Sequence, residues 1–383
     1  MRHPCAPSGD GQPALTQHPP NDSPADGPDR GPSDRLSASR LFACYERAGF
    51  IYAKKRERLL PVWPRVFETW DALLASPDGD PLDLRHCGDP AGERFAVGCS
   101  VRCGNAGLAG QHWAGHGLPL GIGELSLAVT RAALERAGIE SFQVWYRAEN
   151  RLPARVFGRA AAAAGSQGGN RTQVLFAWPE PVEPRGDVGC RLPGGAETRG
   201  VQVDRWTPAR RWDAYELAAT RGGWLWASVC ELHTGDAEWA ACASIYQRLG
   251  LVYDRPVLVA RNDAGRVVGL AMVHRGPIGL NFTLLENRVE LCLAPDVAGL
   301  AASSVARTLL AAARPLVRAE VAALAPIVVG DRDAAAVEAL GAERYRTYRQ
   351  SMWLGKAGIA ALVRSLEQTY GAVLRRREVG GAP

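Results

Sequence analysis

Lysine is nearly absent from this chain: Lys54, Lys55 and Lys356 are the only three in 383 residues. Arginine carries the positive charge, and 45 basic against 40 acidic residues leave a net charge of only +5. No Lys/Arg-rich run or aromatic–basic stripe concentrates that excess, so nucleic acid is not an expected partner. Long apolar runs are missing too. No stretch reaches the roughly 20 predominantly apolar residues that a membrane helix needs, so no membrane span is expected. The opening residues, MRHPCAPSGDGQPALTQHPP, have no apolar core segment, so a secretory leader is not expected either. The nine cysteines (Cys5, Cys44, Cys87, Cys99, Cys103, Cys190, Cys230, Cys242, Cys292) are odd in number and lack framework spacing. That pattern suits reduced thiols and a cytoplasmic chain. The arginine, alanine and glycine bias is that of a GC-rich genome and suggests a bacterial source. There is no P-loop, no Gly-x-Gly-x-x-Gly opening a βαβ unit, no His-Glu-x-x-His and no Gly-x-Ser-x-Gly elbow.

What is present falls into blocks. Residues 1–37 are rich in Pro, Gly, Asp and Ser, with almost no apolar periodicity, and are expected to be a disordered arm. Residues 179–199 carry Pro179, Pro181, Pro184 and the pair Gly194-Gly195 and read as a linker. Two folded domains, 38–178 and 200–357, remain, followed by a helical tail, 358–383. That tail has two places to dock: its own domain, or a second copy of the chain in a homodimer.

The domains share a local pattern. Tyr45, Arg47, Gly49 and Tyr52 recur as Tyr246, Arg248, Gly250 and Tyr253, and Ala128-Val-Thr-Arg131 recurs as Ser304-Val-Ala-Arg307. A glycine helix end alone produces a similar pattern, so duplication and a common cap both explain it. A duplication requires extra residues in the first domain, which a helix around Arg58–Ser76 supplies. Hydrophobic periodicity predicts helices over 41–48, 60–74, 123–137 and 154–164, and strands over 95–102, 108–113, 141–146 and 172–178. The second domain repeats the order. Strands are predicted at 255–262, 266–275, 288–293, 321–329 and 348–354, with helices at 299–318 and 333–340. The class is therefore α+β.

The most informative stretch is Gln111-His-Trp-Ala-Gly-His-Gly-Leu-Pro-Leu-Gly-Ile-Gly123, which runs into a helix. Gly121 and Gly123 let backbone N–H groups face outward, and the helix start adds unpaired donors and partial positive charge. This resembles the acyl-CoA loop of GNAT-type N-acetyltransferases, with Leu118 where the family pattern has Gln or Arg. After one helix and one strand come Glu149-Asn150, also as in that family. The family's tyrosine falls seven residues after the Asn, and here that position is Phe157, which has no proton to give. The resemblance implies two tandem GNAT-like domains, each a mixed sheet flanked by helices. In the second, Leu293-Ala-Pro-Asp-Val-Ala-Gly299 lacks the glycine pair and places Asp296 where a phosphate is expected, so this domain reads as a degenerate copy.

By that resemblance, acetyl-CoA or another acyl-CoA is the co-substrate. Leu120, Gly121, Ile122, Gly123, Glu124 and Asn150 are the cofactor-binding residues, and the acceptor is an unidentified amine. An amine acceptor must lose a proton, which makes His112 and His116 the candidate bases, since imidazole titrates near neutral pH. Both also read as ordinary strand and turn residues. Cys99-x3-Cys103 and His112-x3-His116 have the ligand types of a zinc site, but their spacing is wrong for one and no metal is expected. Trp224 and Trp226, two apart, would share a face of a strand. Two functions follow: an acyl-CoA-dependent N-acyltransferase, or a non-catalytic ligand-binding, regulatory or scaffolding protein on the same fold.

Overall fold

A computed structural model describes residues 36–76, 80–90, 92–118, 120–178, 201–207 and 211–371. The expected arm (up to residue 35), the expected linker 179–199 and the last residues of the tail lie outside these. Leu36 and Ser37, expected in the arm, belong to the folded part. Leu36 is buried, and the Ser37 hydroxyl accepts the Arg40 N–H at 3.3 Å, capping the first helix.

The first half contains α1 (Ala38–Arg47), α2 (Ala53–Leu59), α3 (Trp63–Leu74), β1 (Leu82–Gly88), β2 (Phe95–Arg102), β3 (Gly107–His116), α4 (Gly121–Glu135), β4 (Ser141–Arg147), α5 (Arg151–Pro153), α6 (Arg159–Ala163) and β5 (Gly168–Phe176). A π-helical turn joins α5 to α6. The second half contains β6 (Gln202–Arg205), α7 (Arg211–Gly222), α8 (Trp224–Val229), α9 (Asp236–Gln247), β7 (Val257–Arg261), β8 (Val267–Val273), β9 (Val289–Leu293), α10 (Gly299–Ala313), β10 (Ile327–Gly330), α11 (Ala334–Glu338), β11 (Arg344–Leu354) and α12 (Gly355–Leu366), which ends in a π-helical turn, Glu367–Gly371. β1 and β6 were not anticipated from the sequence. The stretch at 321–329 is a strand only from Ile327, because Ala319–Val321 forms a 3-10 turn.

All eleven strands join one mixed sheet in the order β1-β2-β3-β4-β11-β5-β10-β9-β8-β7-β6. The class is α+β, as expected, with helices on both faces. Each half has one parallel pair, β3/β4 and β9/β10, and in each a 15-residue helix (α4 or α10) lies between the two strands in sequence. The closing strands are exchanged. β11, from the second half, lies antiparallel to β4, while β5, from the first half, lies antiparallel to β10; β5 and β11 pair with each other in the middle. From Leu36 onward the chain is one compact unit.

The strands read as apolar because both faces are covered; all eight residues of β2 are buried. Behind β1–β3, the helices α1 and α3 pack Leu41, Phe42, Tyr45 and Trp70 against Phe282. On the opposite face, α4, α12 and the π-helical turn before α6 bury Leu127, Phe157, Ile359 and Leu362 over Phe142 and Trp353. In the second half α10 and α11 cover one face and α7 and α8 the other. Trp224 and Trp226 correct an expectation. They lie on the helix α8, not on a strand, so they do not share a face: Trp226 is fully buried, and Trp224 is 47% exposed.

The repeated Tyr-x-Arg-x-Gly segments have the same local geometry. Gly49 (φ 68°) and Gly250 (φ 70°) end α1 and α9 in the left-handed region. In both, the residue after the glycine returns its N–H to the tyrosine carbonyl, Phe50 to Tyr45 at 2.8 Å and Leu251 to Tyr246 at 3.0 Å.

Candidate functional site

β3 and β4 run side by side only from Gly107/Ser141 to Gly110/Val144 and then part. The cause lies in the β2–β3 ladder. Val97 pairs with Ala114 and Cys99 with Gln111, so His112 and Trp113 form a bulge opposite Gly98. His112 takes φ +59°, rare for a side chain with a Cβ. Residue 98 must be glycine, because a Cβ there would collide with the Trp113 ring.

The predicted site residues spread around this divergence. His112 is 4% exposed in a box of Tyr45, Phe50, Trp70 and Phe282, stacked on Phe282 at 4.6 Å. Neither ring nitrogen has a partner. Burial, then the charge of Lys55, pushes its pKa down to about 3. The imidazole is therefore neutral and weakly basic. His116, at the exposed end of β3, lies 3.7 Å from Glu93. The two histidines do not converge.

Leu120 to Glu124 form the start of α4, where the Glu124 N–H returns to the Leu120 carbonyl at 3.0 Å. Asn150, exposed, precedes α5 and donates its N–H to the Arg147 carbonyl. Phe157 is buried against Trp113 and Trp353. The tail has a definite place. α12 fills the space between α4 and α6 and runs antiparallel to α4. Lys356 donates to the carbonyls of Leu134 and Arg136 at the end of α4, at 2.6 Å each. Arg131 meets Glu367 at 2.7 Å. The Tyr370 ring lies on the start of α4, where a Cβ on Gly123 would come within 2.6–2.8 Å of it. A cation at a helix C-terminus contributes about 0.3–1 kcal/mol.

The face opposite α12 is polar where the two halves meet. A cavity of about 30 Å³, room for a water or two, is lined among others by Cys103, Gln111, Gln143, Trp145, His274 and Glu286. A chain of buried hydrogen bonds crosses four strands here. Gln143 Oε1 accepts from Trp145 at 2.9 Å and from Gln350 at 2.6 Å; Gln173 donates to Gln350 at 3.2 Å and to Glu290 at 3.1 Å. Arg288 donates to Glu290 at 3.0 Å, and His274 lies 3.7 Å from the same carboxylate. Burial alone would raise the Glu290 carboxyl, but Arg288 and His274 outweigh it and hold it well below the usual range. Glu286 is different: burial raises its pKa against the pull of Arg288. A raised carboxyl lining a cavity is suited to proton transfer.

The sequence reading missed Glu286, His274, Arg288 and Glu290. A signal existed: Gln143 and Glu290 are polar breaks in strands that are otherwise mostly apolar, and Arg288 stands just before β9. Among the described residues no group of three His, Cys, Asp or Glu side chains is placed to hold a metal ion. Cys99 is buried against the Gln111 carbonyl, and Cys103 accepts from Gln143 at 3.1 Å.

The equivalent place in the second half is closed from within. Asp333, 3% exposed, accepts the Leu293 N–H at 3.3 Å at the end of β9 and pairs with Arg221 at 2.6 Å. The start of α10, by contrast, is open: Leu300 is 59% exposed, and nothing lies within 4 Å of a Cβ built on Gly299. Asp296 is engaged by Arg266.

No protein-family model and no curated protein matches the chain. Solved structures do. One is a tandem GNAT protein from the clavulanic acid biosynthesis pathway, 14% identical, with a TM-score of 0.35 over 76% of this chain and 88% of that one. Another is the GCN5-related glucosamine N-acetyltransferase region of a fungal multi-domain GH3 β-N-acetylglucosaminidase, 12% identical, with a TM-score of 0.37 over 82% and 36%. A third, from Novosphingobium aromaticivorans and placed in the GNAT family, is 13% identical, with a TM-score of 0.34 over 77% and 96%.

Proposed function

We propose that the chain is an acyl-CoA-dependent N-acyltransferase acting on a small amine, with its chemistry at the divergence of β3 and β4. The observation that carries this reading is the bulge at His112–Trp113. It parts two parallel strands directly above a buried polar cavity that holds a carboxyl of raised pKa. The acceptor nitrogen attacks the thioester carbonyl, and the tetrahedral intermediate collapses with loss of the CoA thiolate. Charge on the intermediate is met by a strand N–H near His112–Ala114. Glu286, rather than His112, takes the ammonium proton, because a carboxyl raised by burial is the better base and His112 stays neutral in its aromatic box. The pyrophosphate is held by the N–H groups of Ile122 and Gly123 within the α4 start, Leu120–Glu124, since those of Gly121 and Glu124 already return to the Leu118 and Leu120 carbonyls, and this requires Tyr370 to leave Gly123.

The second reading is a non-catalytic ligand-binding or regulatory protein. The placement of α12 between α4 and α6 favours it, and so does Phe157, which has no proton to donate. Calorimetric titration of the full chain with acetyl-CoA, alongside release of free thiol in the presence of an amine panel, separates the two. Binding with amine-dependent thiol release supports transfer, and that release falls at least tenfold in Glu286→Gln. Binding without turnover supports the second reading. If neither the folded chain nor Tyr370→Ala binds any acyl-CoA, the acyltransferase reading is wrong.

A further inference from the structure

Four cations gather beside the end of β4 without a counter-charge. Lys55 is on α2, Arg58 follows it by one turn, Arg147 ends β4 and Arg346 lies on β11. Arg147 and Arg346 both donate to the Tyr52 hydroxyl, at 2.6 and 3.0 Å. Lys55 donates to the Phe50 carbonyl at 2.6 Å and stands 4.1 Å over the Phe50 ring and 5.2 Å over that of Tyr52. Arg58 donates to the Leu324 carbonyl at 2.8 Å, and its guanidinium lies 5.1 Å over the Tyr345 ring. Every partner is neutral. Among the described residues none of the four makes an ion pair, whereas thirteen other arginines do.

Burial, then Arg147 and Arg346, depresses Lys55 to about 8. Burial would raise the Tyr52 phenol, yet the same two arginines bring it below its ordinary value. Both shifts have one physical source, an uncompensated positive potential. The groups are half-buried, so solvent screens them incompletely. Like charges held together at a cost to stability are expected where a ligand supplies the missing sign. Two guanidinium forks and an ammonium suit the several lone pairs of an oxyanion.

We propose that Tyr52, Lys55, Arg147 and Arg346 form a binding site for the compact oxyanion of a small molecule, a phosphomonoester or a carboxylate. An entering oxyanion takes the guanidinium N–H groups now held by the Tyr52 hydroxyl. Arg58 adds to the field from the rim. The Phe50 ring, 5.5 Å from that of His112, separates this site from the β3 bulge. An anion here therefore lies on the face of the sheet away from α4 and α12. The site does not depend on whether the chain transfers acyl groups.

The test is calorimetry of the full chain at low salt with inorganic phosphate and, separately, with succinate. At least one should bind saturably, and the stronger of the two identifies the oxyanion. Arg346→Gln and Lys55→Met should each weaken that binding tenfold or more while keeping the wild-type circular dichroism spectrum. Lys55→Met removes no hydrogen bond to Tyr52, so it remains informative if Arg346→Gln fails to fold. Proton uptake on binding at pH 8.5, read from the dependence of the heat on buffer ionisation, would mark Lys55 as a participant. Absence of saturable binding by either anion overturns the site, as does binding that both variants leave unchanged.

Discussion

The two halves of the sheet share an element order and treat their strand divergences in opposite ways. In the first half the divergence of β3 and β4 opens onto a polar cavity, while its helix, α4, is strapped along its length by α12 and Tyr370. In the second half the helix start of α10 is bare, while Asp333 takes the Leu293 N–H and closes the end of β9. A helix start with free N–H groups and a strand with a free N–H are both needed to hold an extended ligand along such a cleft. Neither half presents both at once. The cover of the first half is a helix, α12, packed on α4, whereas the second half is closed by an ion pair inside the cleft.

That contrast can be broken by mutation. The largest effect is expected for Asp333→Ala, which strands Arg221 and the Leu293 N–H. Removing one member of so buried a pair should cost roughly 3 kcal/mol, read from urea denaturation, and the loss should far exceed that of Asp296→Ala in the exposed ion pair between β9 and α10. Gly98→Ala should come next. The new methyl group meets the Trp113 ring, and overpacking of this kind costs about 1–3 kcal/mol. If stability and the fluorescence of the chain stay unchanged, the bulge is not held as described.

Tyr370→Ala is expected to cost only about 1 kcal/mol. It should nevertheless speed proteolysis after α12 and tighten acetyl-CoA binding, since it uncovers Gly123. Unchanged affinity would mean that Tyr370 does not guard the α4 start. A last test sharpens the comparison by pH, with an effect that vanishes near neutrality and grows in acid. His112 in the first half and His274 in the second both stay neutral in the fold down to about 3, whereas an unfolded histidine takes a proton near 6.5. The unfolded state then binds more protons between those values, so stability falls as pH falls from about 6.5 towards 3. His112→Phe should flatten that slope in part and leave the contribution of His274. An unaltered slope would show that His112 is not buried neutral.

Much of the fold was legible in advance, and the reasons are local. The hairpin over β2 and β3, the parallel strand β4, both long helices and the α+β class follow from apolar periodicity and from glycine turns such as 104–107. The glycine caps at Gly49 and Gly250 were legible for the same reason. Trp224 and Trp226 misled because a two-residue spacing looks the same on a short strand as on a six-residue helix, and only packing of α8 against the sheet decided between them. His112 and His116 were chosen for their chemistry. Burial by Phe282 and Tyr45, from segments far apart in sequence, then set the surroundings of His112, while His116 stays at the exposed end of β3. The meeting of Glu286 with the Gln143–Gln350–Gln173–Glu290 chain was illegible: Gln143 and Glu290 stand out as polar breaks in apolar strands, but none of these residues has its partner until the halves meet.

The sequence by itself determined the long, strongly periodic elements, since helix and strand periodicities, caps and turns act over a few residues. It determined as well that no long apolar helix is present among the described residues. Only the tertiary structure decided the exchange of β5 and β11, the docking of α12 on its own chain and the meeting of Lys55 with Arg147 and Arg346. These pairings join residues far apart along the chain. Strand pairing, burial and unscreened charge depend on distance in space, and that distance is set only once the whole sheet has closed.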